Sequence, residues 1–200
     1  MAAVGIAAAT AVSAQDAPAE FGGFSRPPWV SDAGHQLIAD TRAGRWPKVL
    51  AALKAGAADP RVQDWAGANV LALAARAGQE DVLREMLQRG ADLDRPGEDG
   101  FTALGAAAFQ GHAAIAQRLL RAGADPAALG ATGQTALHLA ALSGRVGVID
   151  ALLRAGVRPD LPNIRGDSAA DIALRVHQDA ALQRLLQAGA RPPQVGVRLW

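Results

Sequence analysis

Apolar positions along residues 100–132 fall into two short helical stretches separated by glycine. Ala103, Leu104, Ala106, Ala107 and Ala108 form the first, behind a threonine, Thr102, placed to accept a hydrogen bond from an amide about three residues on. Gly111 ends that helix, in a left-handed turn that glycine reaches without penalty. Ile115, Leu119 and Leu120 then share one face at the helical period, and Gly123-Ala124-Asp125-Pro126 stops the second helix. The pattern predicts helix, tight turn, helix, and an extended crossing to whatever follows.

The same pattern returns at a fixed interval. Gly67, Gly100, Gly133 and Gly166 are evenly spaced, and Gly78, Gly111 and Gly144 keep step, with His177 where a fourth glycine would fall. Gly90, Gly123, Gly156 and Gly189 form a third ladder. Three ladders in one register mean that one structural unit is repeated. Val70-Leu71, Ala74-Ala75, Val82-Leu83 and Met86-Leu87 fill the unit from Gly67; Ala140-Ala141, Val148-Ile149 and Leu152-Leu153 fill the unit from Gly133. A degenerate unit opens at Gly166, where Ser168 and Asp171 are spaced as a capping box with Asp in place of Glu. Counting back from Gly67 takes a slightly longer step to Leu37-Ile38, Gly44, Val49-Leu50 and Gly56-Ala57, with the single extra residue assigned to the turn around Asp59-Pro60-Arg61.

This pattern resembles the ankyrin repeat. The family motif runs roughly G-x-T-P-L-H, paired alanines, G-H, a V/I…L-L helix and G-A-D. Thr135-Ala136-Leu137-His138 departs from its core only in having Ala for Pro, while Gly111-His112 and Gly123-Ala124-Asp125 match outright. The resemblance covers 31–191 as five repeats, 31–66, 67–99, 100–132, 133–165 and 166–191, with degenerate ends. It implies an all-α solenoid of stacked helix-turn-helix units with hairpin-like loops projecting from the stack. Weak terminal units suit such an array, because each has one neighbour and faces water on its other side. His177 is expected to hold a strained but intact left-handed turn. The resemblance also implies a structural role for His138, hydrogen-bonding between repeats, and for His112.

Outside the array, 1–14 reads as a signal-peptide-like segment. Ala2 to Val12 is a run of small apolar residues, too short to span a bilayer, and Val12-Ser13-Ala14 has the small residues that signal peptidase accepts, although no Lys or Arg precedes the run. Residues 15–30 read as a linker with Pro18, Gly22, Gly23, Pro27 and Pro28. Trp29-Val30 is placed at the start of the ordered part, over the first helix pair, and 192–200 is a C-terminal tail. Cleavage near Ala14 would make the protein periplasmic or secreted; without it the chain is cytoplasmic. Membrane insertion of the mature chain is not expected.

Composition narrows the chemistry. The 20 basic and 19 acidic residues nearly cancel, which argues against a nucleic-acid partner or an anionic membrane surface. The chain has no cysteine, so disulfides, a thiol nucleophile and thiolate-ligated zinc are all excluded. His35 and His177 lie in opposite end units, and no histidine pair has metal-ligand spacing. Asp92, Asp94, Glu98 and Asp99 gather around one loop but do not follow a calcium-loop spacing, and a solvated acidic turn is the better reading. Lys54, Arg121 and Arg154 stand near the C-terminal ends of second helices, where they suit the helix dipole and form a solvated ridge. No nucleophile elbow or phosphate loop occurs, so no catalytic residue, metal or cofactor is expected.

The resemblance places a partner surface on the loop tips and the exposed ends of the first helices. The tips supply Trp65, Glu98, Phe101, Gln134, Ile164 and Asp167; the helix ends supply Arg42, Arg76, Phe109, Gln110, Leu142, Ser143, Arg175 and Val176. These positions were free to be polar, yet Trp65, Phe101, Phe109 and Leu142 are large and apolar, in adjacent units. Aromatics and arginine are enriched where binding energy concentrates. The function expected is a non-enzymatic module, acting as a monomer, that binds a partner protein; the alternative is a regulatory or inhibitory subunit of an exported enzyme, or a secreted effector. Export predicts that N-terminal sequencing of the mature protein reads from Gln15, and a cytosolic chain that retains Met1 would refute it.

Overall fold

The computed structural model describes residues 32–64 and 66–193. The signal-like segment, the linker, Trp29-Val30, Trp65 and the tail from residue 194 lie outside them. Ten helices succeed one another in five pairs among the described residues: α1 (Asp32–Arg42) with α2 (Trp46–Lys54), α3 (Val70–Arg76) with α4 (Glu80–Gln88), α5 (Ala103–Gln110) with α6 (Ala113–Arg121), α7 (Ala136–Leu142) with α8 (Val146–Arg154), and α9 (Ala169–Arg175) with α10 (Asp179–Gln187). First helices stack on first helices, α1 through α9, while second helices pack α2 on α4, α6 on α8 and α8 on α10. The all-helical stack expected from the glycine ladders is therefore present. In place of a sheet there is one isolated bridge, Gln63 to Asn69.

Side-chain size decides how close the layers come. Ala74, Ala107, Ala140 and Ala173 recur once per unit in the first helices, and all four are fully buried. The second helices answer with Met86, Leu119, Leu152 and Leu185, which keep the same interval and are also fully buried. Burying a side chain of that size contributes roughly 1.5–3 kcal/mol, and the alanines let the partner helices approach closely enough to collect it. In α1 the position matching Ala74 is Asp40, whose carboxylate accepts from Arg45 Nε at 2.7 Å and Gln36 Nε2 at 3.1 Å. Among the described residues no further helix pair packs on the outer side of this first unit.

The helix ends follow the expected grammar. Thr102 Oγ1 accepts from the Gly105 amide at 3.1 Å, and Ser168 with Asp171 completes the reciprocal box, Asp171 N–H to Ser168 Oγ at 3.2 Å and Ser168 N–H to the Asp171 carboxylate at 2.8 Å. Gly111 caps α5 with φ of 95°, and His177 holds the corresponding turn at φ of 57°, alone among the described non-glycine residues in having a positive φ. A side chain in that region is strained by roughly 1–2 kcal/mol.

Between helix pairs the chain makes a tip whose outer closing backbone bond recurs: Asp64 N–H to Ala68 O, Gly97 N–H to Phe101 O, Gly130 N–H to Gln134 O and Asn163 N–H to Asp167 O, at 2.8–3.2 Å. The tip starts Asp64, Gly97, Gly130 and Asn163 are evenly spaced, whereas the step from Gly56 to Gly90 is longer by a single residue. The extra residue of the first unit therefore lies between Gly56 and Asp64. There Arg61 N–H bonds to Asp59 Oδ1 at 2.8 Å in a compact turn.

Neighbouring tips are tied together. Ala131 N–H donates to Gly100 O at 2.7 Å, and Ile164 N–H donates to Gly133 O at 3.1 Å. A Cβ on Gly130 would fall on the Gly100 carbonyl oxygen, which the backbone holds and no rotamer can move aside. Gly130→Ala is expected to destabilise the fold by about 1–3 kcal/mol, the usual cost of an overpacked site, as read from urea denaturation.

Candidate protein-binding surface

Equivalent positions at the C-terminal ends of the first helices form a ladder on one face: Arg42, Arg76, Phe109, Leu142 and Arg175. Its centre is apolar. Phe109 meets Phe101, from the preceding tip, with ring centroids 5.7 Å apart and planes inclined at 41°. Both rings are half-buried, Leu142 in the next unit is 38% exposed, and Ile164 on the tip beyond is 66% exposed. Gln110, next to Phe109, is exposed. The phenylalanines thus present partial faces to solvent while steadying one another, so they are less detached from packing than their positions in the sequence suggest.

The arginines of the ladder are committed within the chain. Arg42 reaches Asp64 at 2.8 Å and donates through Nε to Glu98 at 3.0 Å. Arg76 approaches the same Glu98 at 3.5 Å and Asp99 at 3.4 Å, and Arg175 pairs with Asp167 at 3.0 Å. A cluster with two arginines and three carboxylates on one side, and the single Arg175–Asp167 pair on the other, therefore bracket the apolar centre. Two other site positions are also engaged within the chain: Gln134 Oε1 accepts from Asn163 Nδ2 of the next tip at 3.3 Å, and Ser143 Oγ donates to Leu139 O at 2.7 Å. Val176 is half-buried as the C-cap of α9. Trp65 lies outside the described residues.

Sequence reasoning treated the arginines as free contacts and missed this pairing. The signal was present in the spacing, since Asp64 follows Arg42 at the same interval as Glu98 follows Arg76, the interval from a first-helix end to the next tip.

The acidic turn resolves in the same way. Glu98 and Asp99 belong to the arginine cluster, while Asp94 Oδ1 accepts from the Asp125 amide of the next unit at 2.9 Å. Burial pushes the Asp94 carboxyl above its usual range, and the Asp125 amide opposes that shift. Among the described residues no group of three or more His, Asp or Glu is arranged to hold a metal ion.

The histidines hold units together. His112 Nε2–H donates to Arg76 O at 3.1 Å, and Arg145, its counterpart one unit on, donates through Nε to Phe109 O at 3.2 Å. Each thereby satisfies a carbonyl that the end of the previous first helix leaves open. His138 is fully buried between the fourth and fifth pairs. Its Nδ1 lies 3.3 Å from the Thr135 amide and 2.6 Å from Thr135 Oγ1; its Nε2 lies 3.0 Å from Asp167 O. A backbone amide can only donate and a carbonyl can only accept, so the ring is neutral with its proton on Nε2. Burial lowers its pKa below 6.5, against the opposing pull of the Asp167 carbonyl.

With this geometry in hand, comparison with known families gives one answer. A model of three consecutive ankyrin repeats matches residues 42–129, and a single ankyrin repeat matches 132–167. Among curated proteins no relative matches. The chain belongs to the ankyrin-repeat family, whose members are generally protein–protein interaction modules and typically have no catalytic activity. Among the described residues no helix is long and apolar enough to cross a membrane.

The neutral His138 sets a pH dependence. Its folded pKa lies below the 6.5 of the unfolded chain, so the unfolded state binds the extra proton. The stability is fully present above pH 6.5 and falls as the pH is lowered below it. Denaturation midpoints measured from pH 7.5 to 5 are expected to decline, and amides of α9 to exchange faster at the acid end. His138→Gln should remove the component of that slope that sets in below pH 6.5.

Proposed function

We propose that this protein binds a partner protein through the face made by its tips and first-helix ends, without catalysing a reaction. The observation that carries the reading is the Phe101–Phe109 pair with Leu142 beside it, partly open to solvent in two successive units. Apolar groups grouped on an exposed face favour a contact that removes them from water. The flanking clusters contain both signs of charge, so the fitting partner offers an apolar anchor with polar, weakly charged surroundings. A typical contact covers roughly 800 Å² on each partner, within the reach of five stacked units. The rigid backbone of the tips keeps the ordering cost low. Export, as the sequence suggests, would place that partner in the periplasm or outside the cell.

Phe101→Ser with Phe109→Ser tests the reading. The double variant is expected to keep its helical signal, with a stability loss of about 1 kcal/mol for the ring pair, and to lose the partner. A photocrosslinker at Gln110 should give an adduct in the parent chain that disappears in the variant, whereas one at Arg84 on α4 should give none in either. Survival of the Gln110 adduct would refute the proposed face; collapse of the helical signal would show that the rings belong to the core.

A further inference from the structure

The second helices carry a feature that the inner face does not explain. Neighbouring second helices are straddled by an arginine at three of the four junctions. Arg89 donates to Lys54 O at the end of α2 (3.3 Å), Arg118 on α6 reaches Glu80 on α4 (3.6 Å), and Arg184 on α10 pairs with Asp150 on α8. The remaining junction, α6 with α8, has none. Ala151 stands in its unit where Arg118 and Arg184 stand in theirs, and Ala155 stands where Arg89 does. At this junction lies a groove of about 550 Å³, walled by Gln117, Leu120, Arg121, Ala151, Arg154 and Ala155.

The groove is basic at its rim and apolar at its floor. Arg121 and Arg154 are exposed, occupy equivalent places on α6 and α8, and meet no carboxylate among the described residues. Arg118, one turn before Arg121, keeps its Nε buried with no hydrogen-bond partner. Asp150 is paired with Arg184, while Asp125 accepts from the Ala127 amide at 2.8 Å and keeps its charge. The helix ends offset part of the arginine charge, by about half a unit each, but no carboxylate lines the groove itself, and its two charged side chains are both guanidiniums. In an extended strand successive side chains point to opposite sides, so alternating residues could set carboxylates on the two guanidiniums and small apolar groups on Leu120 and the alanines.

We infer that the α6–α8 groove is a second docking site, on the side opposite the proposed inner face, for an extended acidic segment of a partner protein. Nucleic acid fits less well, because the groove has no aromatic side chain on which a base could stack.

Fluorescence anisotropy of the full chain with a short labelled peptide of alternating Glu and Val tests this. The parent chain is expected to bind it and to ignore the same peptide with Lys in place of Glu. Arg121→Glu with Arg154→Glu should weaken binding by at least about tenfold, as reversing close charge pairs across an interface does. Ala155→Trp, which fills the groove without changing charge, should weaken it similarly. Phe101→Ser with Phe109→Ser should leave it unchanged, which separates this site from the inner face. Absence of binding, or full binding by the charge-reversed variant, would overturn the inference. So would undiminished binding by Ala155→Trp, which would reveal unspecific charge attraction; tighter binding of a single-stranded oligonucleotide, which would assign the groove to nucleic acid; or loss of binding in the phenylalanine variant.

Discussion

Close approach of the alanine-bearing first helices is the constraint on which this molecule depends. Each helix is only 7 to 11 residues long, too short to persist alone in water. It is stable because a neighbour lies near enough to bury both faces. Ala74, Ala107, Ala140 and Ala173 set that separation, and the larger side chains of the second helices fill the space it leaves. A bulkier residue at any of these positions would push apart two units and also shift the tips that those units carry.

The tips inherit their geometry from that spacing. Ala131 and Ile164 bond the tips before them only because consecutive units sit at the same separation. The inner face is thus a row of positions whose side chains can change while its backbone stays fixed. Along that row the chain alternates in character, with ion pairs at Arg42 and Arg76, rings at Phe101 and Phe109, and an ion pair again at Arg175. The outer side shows the complementary case: the α6–α8 junction, which has no straddling arginine, carries a groove.

Most of the architecture was legible from residues at fixed spacing. Gly111 and Ser168 announced their caps, and even His177 was readable as a residue standing in for glycine. These are local signals, set by a few neighbouring dihedrals. The charge pairing on the inner face was harder to read, since Arg42 and Asp64 meet Glu98 only when two units have stacked. The α6–α8 groove was harder still. Lys54, Arg121 and Arg154 were visible as a ridge, but the gap beneath lies between two helix pairs, and a gap between pairs has no signature in a single unit.

The joints between tips differ from one another in kind. Gln63 and Asn69 reach Pro96 O with side-chain amides at 3.0 and 3.3 Å; the next joint uses the Ala131 amide alone; the last adds the His138 imidazole to the Ile164 amide. Duplicating or deleting one unit by unequal recombination would keep the period intact and still bring together halves that do not match. The order of the units is therefore fixed from within, and this array can diversify by substitution far more readily than by changing its length.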